Sequence, residues 1–276
     1  MVEQVGQPTI LVRGIGDVGS AVAHRLFSAG YGVVIHDTPC PTTSRRTMAF
    51  TDAMFEGEAT LERLTARHVS DMAQLPALLA ARAVIPVCSS PLTPLLVASR
   101  PTILVDARMR KRAIPERQRG LAALTIGLGP NFVAGETTDL AVETAWGETL
   151  GAVLAAGPTR PLAGEPRPLA GQARNRFIYA PLAGIFRTAR RIGDLIAIGE
   201  VVAFVDEQAL RAPLTGSLRG LTHDNVPVEV GTKVVEVDPR GEPAQARIGE
   251  RAGMIAAGVF NAVSVWRDAQ CNEARI

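Results

Sequence analysis

The stretch that decides the fold is Thr9-Ile10-Leu11-Val12-Arg13-Gly14-Ile15-Gly16-Asp17-Val18-Gly19-Ser20-Ala21-Val22-Ala23. A β-branched apolar run passes straight into three glycines at the spacing G-x-G-x-x-G, and an apolar pattern of helical period follows them. A strand that turns tightly into a helix is the context in which this spacing acquires meaning. Gly14 permits the tight turn, Gly16 lets backbone approach a pyrophosphate, and Gly19 lets the helix pack closely on the strand. The helix N-terminus then offers free amides to an anion. Asp37 ends the next apolar run, 23 residues after Gly14, where a carboxylate can accept both hydroxyls of an adenosine ribose. That arrangement favours NAD.

The same alternation continues outward from this core. Apolar runs at 9–14, 32–37, 83–88, 102–106 and 122–127 are interleaved with helical patterns near 17–29, 71–82 and 92–99, and 57–70 looks like an inserted antiparallel hairpin. Strands alternating with helices predict an α/β domain built on a parallel sheet, here Rossmann-like, over residues 1–156. Residues 157–174 are rich in proline and glycine and are expected to form a linker. A helix near 248–265 is expected within a final segment, 241–276, where Gly253 and Gly258 permit a close backbone approach or merely accompany ordinary helix-to-sheet packing.

Composition narrows the function classes. The chain has 276 residues with 29 basic and 27 acidic side chains, a formal net charge of +2. No clustered basic surplus points to nucleic acid or an anionic membrane. Its three cysteines are far apart, with no C-x-x-C pair, so neither a zinc site nor a disulfide framework is indicated and no metal ligand set is expected. No signal-peptide order or membrane-length apolar run is found, so a cytoplasmic setting is expected.

Sliding the sequence on itself reveals a repeat. Residues 180–206 and 212–238 align without a gap at an offset of 32, with nine identities in twenty-seven positions. Each copy reads as Ala-Pro, a short strand, a glycine turn, then V-x-x-G or its equivalent leading into an apolar strand. The pattern resembles the barrel-sandwich hybrid of biotinyl and lipoyl carrier domains, which implies an all-β domain over 175–240. Those carriers bear a modified lysine on the hairpin between the halves. The corresponding segment 206–211 has no lysine, so no covalent biotin or lipoate is expected.

Further polar candidates lie at strand ends. Arg45 and Arg46 follow Asp37 and could grip a 2′-phosphate, which would shift preference to NADP, or could simply begin the next helix. Asp17 either complements the helix dipole or repels a phosphate. Gly127 and Gly129 form a second glycine turn, readable as an anion nest or as a plain tight turn. Asp106 and Lys111 are the candidate catalytic groups, although an ion pair between Asp106 and nearby arginines explains the same pattern. His36 precedes Asp37 and is expected on the opposite face, as filler. No nucleophile elbow, zinc-protease or P-loop motif is present.

Taken in order, several short motifs point to one family: Arg13-Gly14-x-Gly16-Asp17, Asp37-x-Pro39-x-Pro41 with Arg45-Arg46, Glu56-Gly57, Val105-Asp106-Ala107-Arg108-Met109, Gly127-Leu128-Gly129-Pro130, Glu143-Thr144, Arg219-Gly220-Leu221 and Asp238-Pro239-Arg240. The chain resembles the selenium-dependent molybdenum hydroxylase accessory (maturation) family from about residue 9 to about residue 263. It departs from that pattern at Asn131 and at Trp146-Gly147-Glu148. The resemblance implies assistance in maturing a molybdenum hydroxylase, with that enzyme as partner and a nucleotide or the nucleotide-bearing molybdenum cofactor as ligand. Two rival readings are an NAD(P)-dependent oxidoreductase using Asp106 or Lys111 and a non-catalytic protein that docks an enzyme. The sequence leaves open whether any reaction is catalysed.

Overall fold

The computed structural model describes residues 8–110, 113–162, 166–242 and 246–273. Strand β1 (Thr9–Arg13) leads into helix α1 (Asp17–Ser28) and β2 (Gly32–His36). Then come α2 (Ala53–Glu56), β3 (Glu58–Leu61), β4 (Leu64–His68), α3 (Leu75–Ala81), β5 (Ile85–Cys88), α4 (Leu92–Ser99), β6 (Ile103–Asp106) and β7 (Leu124–Leu128). Strands β8 (Val133–Ala134), β9 (Leu140–Val142), β10 (Val153–Leu154) and β11 (Gly157–Pro158) complete this part. Among the described residues, nine of these strands form one sheet in the order β10-β9-β7-β6-β1-β2-β5-β4-β3, and β8 pairs with β11. All pairings in the large sheet are parallel except at its two edges, β3 on β4 and β10 on β9.

From β1 the chain runs outward to β2 and β5, then returns across β1 to β6, β7 and β9. The strand order reverses between β1 and β6, and the carboxyl ends at such a reversal are the edge where open α/β sheets place ligands. Alternation along β1 sends Ile10 and Val12 into the core shared with α1, while Leu11 joins the core under α3 and α4. Both faces are covered, which is why these strands read as continuous apolar runs.

The β-rich part comprises β12 (Phe177–Tyr179), β13 (Gly184–Arg187), β14 (Leu195–Ile196), β15 (Val201–Val205), β16 (Gln208–Arg211), β17 (Gly216–Leu221), β18 (Val226–Val228) and β19 (Lys233–Asp238). Its sheets run β12-β19-β17-β14 and β16-β15-β13-β18. The repeat offset carries β12 to β15 onto β16 to β19, and under that exchange the first sheet order becomes the second. Each sheet therefore takes strands from both copies, and one core cluster holds residues of both. Equivalent glycines show the same constraint: a Cβ on Gly184 would lie 2.3 Å from Asp206 Oδ2, and one on Gly216 would lie 2.1 Å from the Asp238 carbonyl oxygen.

Helix α5 (Glu250–Glu273) is longer than the sequence suggested and returns to the first part. Its Ala252, Ile255, Ala256, Val259, Ala262 and Val263, at spacings of three and four, join the core cluster that contains α1 and the sheet. The expectation of ordinary helix-to-sheet packing is corrected at Gly258, where a Cβ would sit 2.1 Å from the Gly151 carbonyl oxygen, but not at Gly253, where it would meet only Ile248 Cγ2 at 3.8 Å. Close backbone approach, not filler, explains Gly258. In sum the fold is mixed α/β, with one large, mostly parallel sheet and smaller antiparallel ones. Among the described residues no helix is long and apolar enough to cross a membrane.

Candidate functional site

The glycine loop is fixed from several directions. Gly14, at φ +112°, brings its Cα so close to β6 that a Cβ would lie 2.7 Å from the Ala107 carbonyl oxygen. A Cβ on Gly19 would fall 1.9 Å from the Gly14 carbonyl oxygen. The Ile15 amide donates to Asp37 Oδ2 at 2.7 Å, and the Ile15 carbonyl accepts from Ser20 Oγ and Thr51 Oγ1. Asp37 thus holds the loop from the end of β2. Gly16 differs from its neighbours: it is the N-cap of α1, no side chain caps the helix there, and a Cβ would meet only Thr43 Oγ1, at 3.7 Å.

Asp17 does not enter the loop as a bystander. Its Oδ1 accepts from the Val18 amide at 3.0 Å and its Oδ2 from Arg45 Nη1 at 3.2 Å. The carboxylate therefore complements the helix dipole and turns toward the β-rich part. Arg45 continues that connection, donating from Nε to Glu236 Oε2 at 2.7 Å and from Nη2 to Glu236 Oε1 at 3.1 Å. Arg46 donates to the Leu221 carbonyl at 2.9 Å and to Asp52 Oδ1. The backbone of Ser44 accepts from the Leu221 amide at 2.7 Å. Both arginines were expected to stand beside the end of β2 or to open a helix. Arg46 does open a short helical turn, Arg46–Met48, with Arg45 as its N-cap, but the pair is not a solvated start: both side chains clamp the two parts, because the loop after β2 runs along β17.

Glu236 is the centre of this seam, and it was not among the candidates read from the sequence. It is 0% exposed, on β19, and meets four cations. Arg45 chelates it, Arg176 donates to Oε1, Lys233 Nζ lies 3.5 Å from Oε2, and Arg219 Nε lies 3.7 Å from Oε1. Burial would raise its carboxyl, but Arg45, Lys233 and Arg176 outweigh that and hold it far below the usual carboxylate range. Burial acts likewise on Asp17 and is overcome by Arg45, Lys233 and Arg251. Arg219 is pulled below the usual guanidinium value by burial and by Arg45 beside it. Arg251, on α5, is lowered by burial despite Asp17 and donates to the Thr144 carbonyl at 2.9 Å. Arg176 is 3% exposed and its Nε has no partner among the described residues. One signal was available: across the repeat Glu236 replaces Phe204, so a position that is apolar in the first copy is charged in the second.

The remaining candidates fall elsewhere. Asp106 is 1% exposed, chelated by Arg108 and bonded by Gln118 Nε2 at 2.6 Å. Burial would raise it, but the Arg108 contacts hold it below the usual range, so it is an ion-paired strand end with no free face for proton transfer. Arg108 is absorbed in the same network with Glu116. Lys111 lies outside the described residues. Gly127 packs under Phe132, whose ring carbon would lie 2.1 Å from an added Cβ, and Gly129, at φ +97°, accepts through its carbonyl from Thr159 Oγ1 at 2.6 Å. Those contacts make the second glycine turn a packed tight turn. His36, on the face opposite Asp37, pairs through Nε2 with the Ser90 carbonyl at 2.9 Å, and its Nδ1 is buried without a partner among the described residues. Among the described residues no group of three or more His, Cys, Asp or Glu is placed to hold a metal ion.

No family model matches the chain. It is 39% identical over 259 residues to the uncharacterized protein YqeB of Escherichia coli (strain K12), a similarity covering 94% of this chain and 48% of YqeB. The chain thus spans about half the length of the curated relative it matches. Similar solved structures include a succinylglutamate desuccinylase/aspartoacylase from Rhodobacter sphaeroides, at 13% identity, 84% of this chain, 85% of that one and a TM-score of 0.24. The product-bound ectoine utilization protein EutE (DoeB) from Ruegeria pomeroyi is similar at 12% identity, 84% and 85% coverage and a TM-score of 0.25. Superposition that poor carries no argument about this chain.

These comparisons correct the family resemblance. None of these proteins carries the name of a selenium-dependent molybdenum hydroxylase accessory protein, and the expected maturation role and hydroxylase partner are withdrawn. Three of the short motifs behind that expectation have plain roles in the fold. Val105-Asp106-Ala107-Arg108 ends a strand in an ion pair, Arg219-Gly220-Leu221 lines the seam, and Asp238-Pro239-Arg240 closes on itself through Arg240 and the Asp238 carboxylate. The rival readings gain no support either. An oxidoreductase built on Asp106 loses its acid to Arg108, and no observation favours a protein that only docks an enzyme.

Proposed function

We propose that the chain binds a small phosphate-bearing molecule at the glycine loop, in a Rossmann-like domain docked on a barrel-sandwich hybrid. The observation that carries this reading is Gly16. It is a helix N-cap without a side chain of its own, at the carboxyl edge of a parallel sheet and beside the strand-order reversal, with its approach open apart from the Thr43 hydroxyl, although Asp17 already accepts from the Val18 amide. Backbone amides and the helix dipole there favour an anion. Asp37 still stands at the end of β2, although its Oδ2 is committed to the Ile15 amide and its Oδ1 to the Thr38 amide. NAD, NADP and the molybdenum cofactor all carry a phosphate suited to this loop and are the ligand classes to probe. The hybrid assignment is supported by the exchange of sheets under the repeat, and an unmodified intact mass is expected because the turn between β15 and β16, Asp206-Glu207, offers no lysine.

The test is a thermal-shift titration of the full chain with NAD, NADP and ADP at fixed ionic strength, repeated on Gly16→Val. A stabilisation that Gly16→Val removes, with the unliganded melting temperature little changed, is expected. No shift with any of the three at millimolar concentration overturns the reading.

A further inference from the structure

The seam is not the only place where arginines gather on a carboxylate. At the carboxyl end of the large sheet three of them converge on Glu116: Arg13 Nη1 donates to Oε1 at 2.9 Å, Arg108 Nη2 to Oε1 at 2.6 Å and Arg110 Nη2 to Oε2 at 2.5 Å. Arg13 ends β1 and is the register partner of Asp106, which ends β6, so the cluster stands at the strand-order reversal. Asp106 is taken up by Arg108 and by Gln118 Nε2, with Arg110 Nη2 3.9 Å away. Among the described residues the Arg13 side chain bonds through Nη1 alone, to Glu116 and to Gln118 Oε1 at 2.9 Å, and its Nε is buried without a partner. Burial, and then the charge of Arg108, pull this guanidinium below its usual value. Burial would raise Glu116, but the Arg108 and Arg110 hydrogen bonds hold it far below the usual carboxylate range.

The two clusters differ in how their anion is held. Arg176 is buried against Glu236, which is buried with it. The Arg13 side chain, only 7% exposed, faces a carboxylate whose side chain keeps 47% of its exposure and which lies in 113–117, a stretch without helix or strand. A buried guanidinium needs an anion, but Glu116 is one that can turn to water. We propose that Arg13, Arg108 and Arg110 form a binding site for the carboxylate of a small ligand, and that Glu116 is an internal stand-in, which fills the site and swings into solvent when the ligand enters. The space required is the space the Glu116 carboxylate already occupies, and planar guanidinium groups suit a carboxylate from any source. Asp106 keeps Arg108 in place, and Arg13 Nε remains as a further donor for a ligand larger than Glu116's own carboxylate. Because the stand-in is tethered, an incoming carboxylate competes with an effective concentration of millimolar order. The site stands apart from the glycine loop. Two residues before Arg13 and Asp106, Leu11 and Leu104 lie in the core under α3 and α4, so alternation puts the cluster on that face of the sheet, whereas α1 packs on the other.

The experiment is calorimetric titration of the full chain with succinate at fixed ionic strength, on the parent protein, on Glu116→Ala, and on Glu116→Ala combined with Arg13→Gln. Glu58→Ala, which removes an exposed carboxylate paired with Arg67, is the control. Removing the tethered competitor is expected to tighten succinate binding about tenfold or more. Adding Arg13→Gln is expected to undo that gain, and Glu58→Ala to bind as the parent does. Melting temperatures give a second readout: succinate should stabilise Glu116→Ala more than it stabilises the parent, whereas a purely structural ion pair predicts a loss of stability that succinate does not restore. The site is overturned if Glu116→Ala binds succinate no tighter than the parent, absence of binding to both included, or if the double variant binds as tightly as Glu116→Ala. Tighter binding of inorganic phosphate than of succinate by Glu116→Ala overturns the carboxylate assignment. Should Glu116→Ala not fold, Glu116→Gln takes its place, keeping the length of the side chain without its charge. Should Arg13→Gln not fold, Arg110→Gln replaces it, and the same comparisons decide.

Discussion

Replacing Glu236 by Gln is the sharpest probe of how the two parts are joined. The side chain keeps its shape and loses its charge, so the buried Arg176 and the chelating Arg45 face a neutral amide. Removing one partner of a buried ion pair costs about 3–5 kcal/mol, because the stranded cation can be neither solvated nor neutralised. Arg219 and Lys233 keep 26% and 33% of their side-chain exposure and can turn to water, and Arg45 retains Asp17, which favours the lower part of that range. For a chain of this size the loss corresponds to roughly 6–20 °C in melting temperature. Urea unfolding at pH 7 measures it, with Glu207→Gln on the exposed β15–β16 turn as the control expected to change little. The pH dependence supplies a second reading. The Glu236 carboxyl is depressed in the folded state, so its stabilisation is fully present above the ordinary value of about 4.3 and is lost as pH falls from there toward the depressed value. Glu236→Gln should therefore lose less stability than the parent between about pH 5 and pH 3. A variant within about 1 kcal/mol of the parent at pH 7, with a parallel acid limb, would refute the assignment of Glu236 as the buried anion of the seam.

Gly19→Ala should destabilise the protein by about 3 kcal/mol or more, since its Cβ would be driven to 1.9 Å from the Gly14 carbonyl oxygen, whereas Gly16→Ala should cost about 1 kcal/mol or less in the same urea assay. Gly258→Ala has opposing terms: helix propensity favours alanine by up to about 1 kcal/mol, but the 2.1 Å approach to the Gly151 carbonyl oxygen must win, so a net loss of stability is expected and a gain would show that α5 is not held there. Iodoacetamide on the native protein should label Cys40 and Cys271, which are exposed, and spare Cys88, which is buried with its thiol pushed up to about 12, as read by peptide mass mapping before and after denaturation.

What the sequence revealed and what it hid divide along physical lines. The strand, glycine loop and α1 are legible because the constraint is local: Gly14 and Gly19 meet each other five residues apart, and the spacing alone encodes that contact. The β-rich part is legible because its two halves lie in one chain and can be laid on each other. The hairpin at 57–70 also reads correctly as β3 and β4, though nothing in it shows that β4 pairs in parallel with β5 and so widens the sheet. The seam is different. Arg45 meets a carboxylate 191 positions away, and charge alone does not distinguish a clamp from a solvated surface arginine or a phosphate ligand.

The divergence between the repeats is what could have exposed it. Within β19, Val235 and Val237 point into the core of the β-rich part as their counterparts Ala203 and Val205 do, so the inner face is kept in both copies. On the outer face the first copy carries Phe204, 42% exposed, and the second carries Glu236, fully covered by loop 42–46 and by Arg176. An exposed phenylalanine needs no partner, but a buried glutamate does, because a lone carboxylate in that setting would be unstable without cations around it. A repeat position that changes from apolar to acidic while its neighbours stay apolar thus marks the copy whose outer face has become an interface. Arg187 and Arg219, identical across the copies, make the same point from the other side. The first is exposed on β13, and the second, drawn to Glu236, becomes part of the seam only because the copy around it changed.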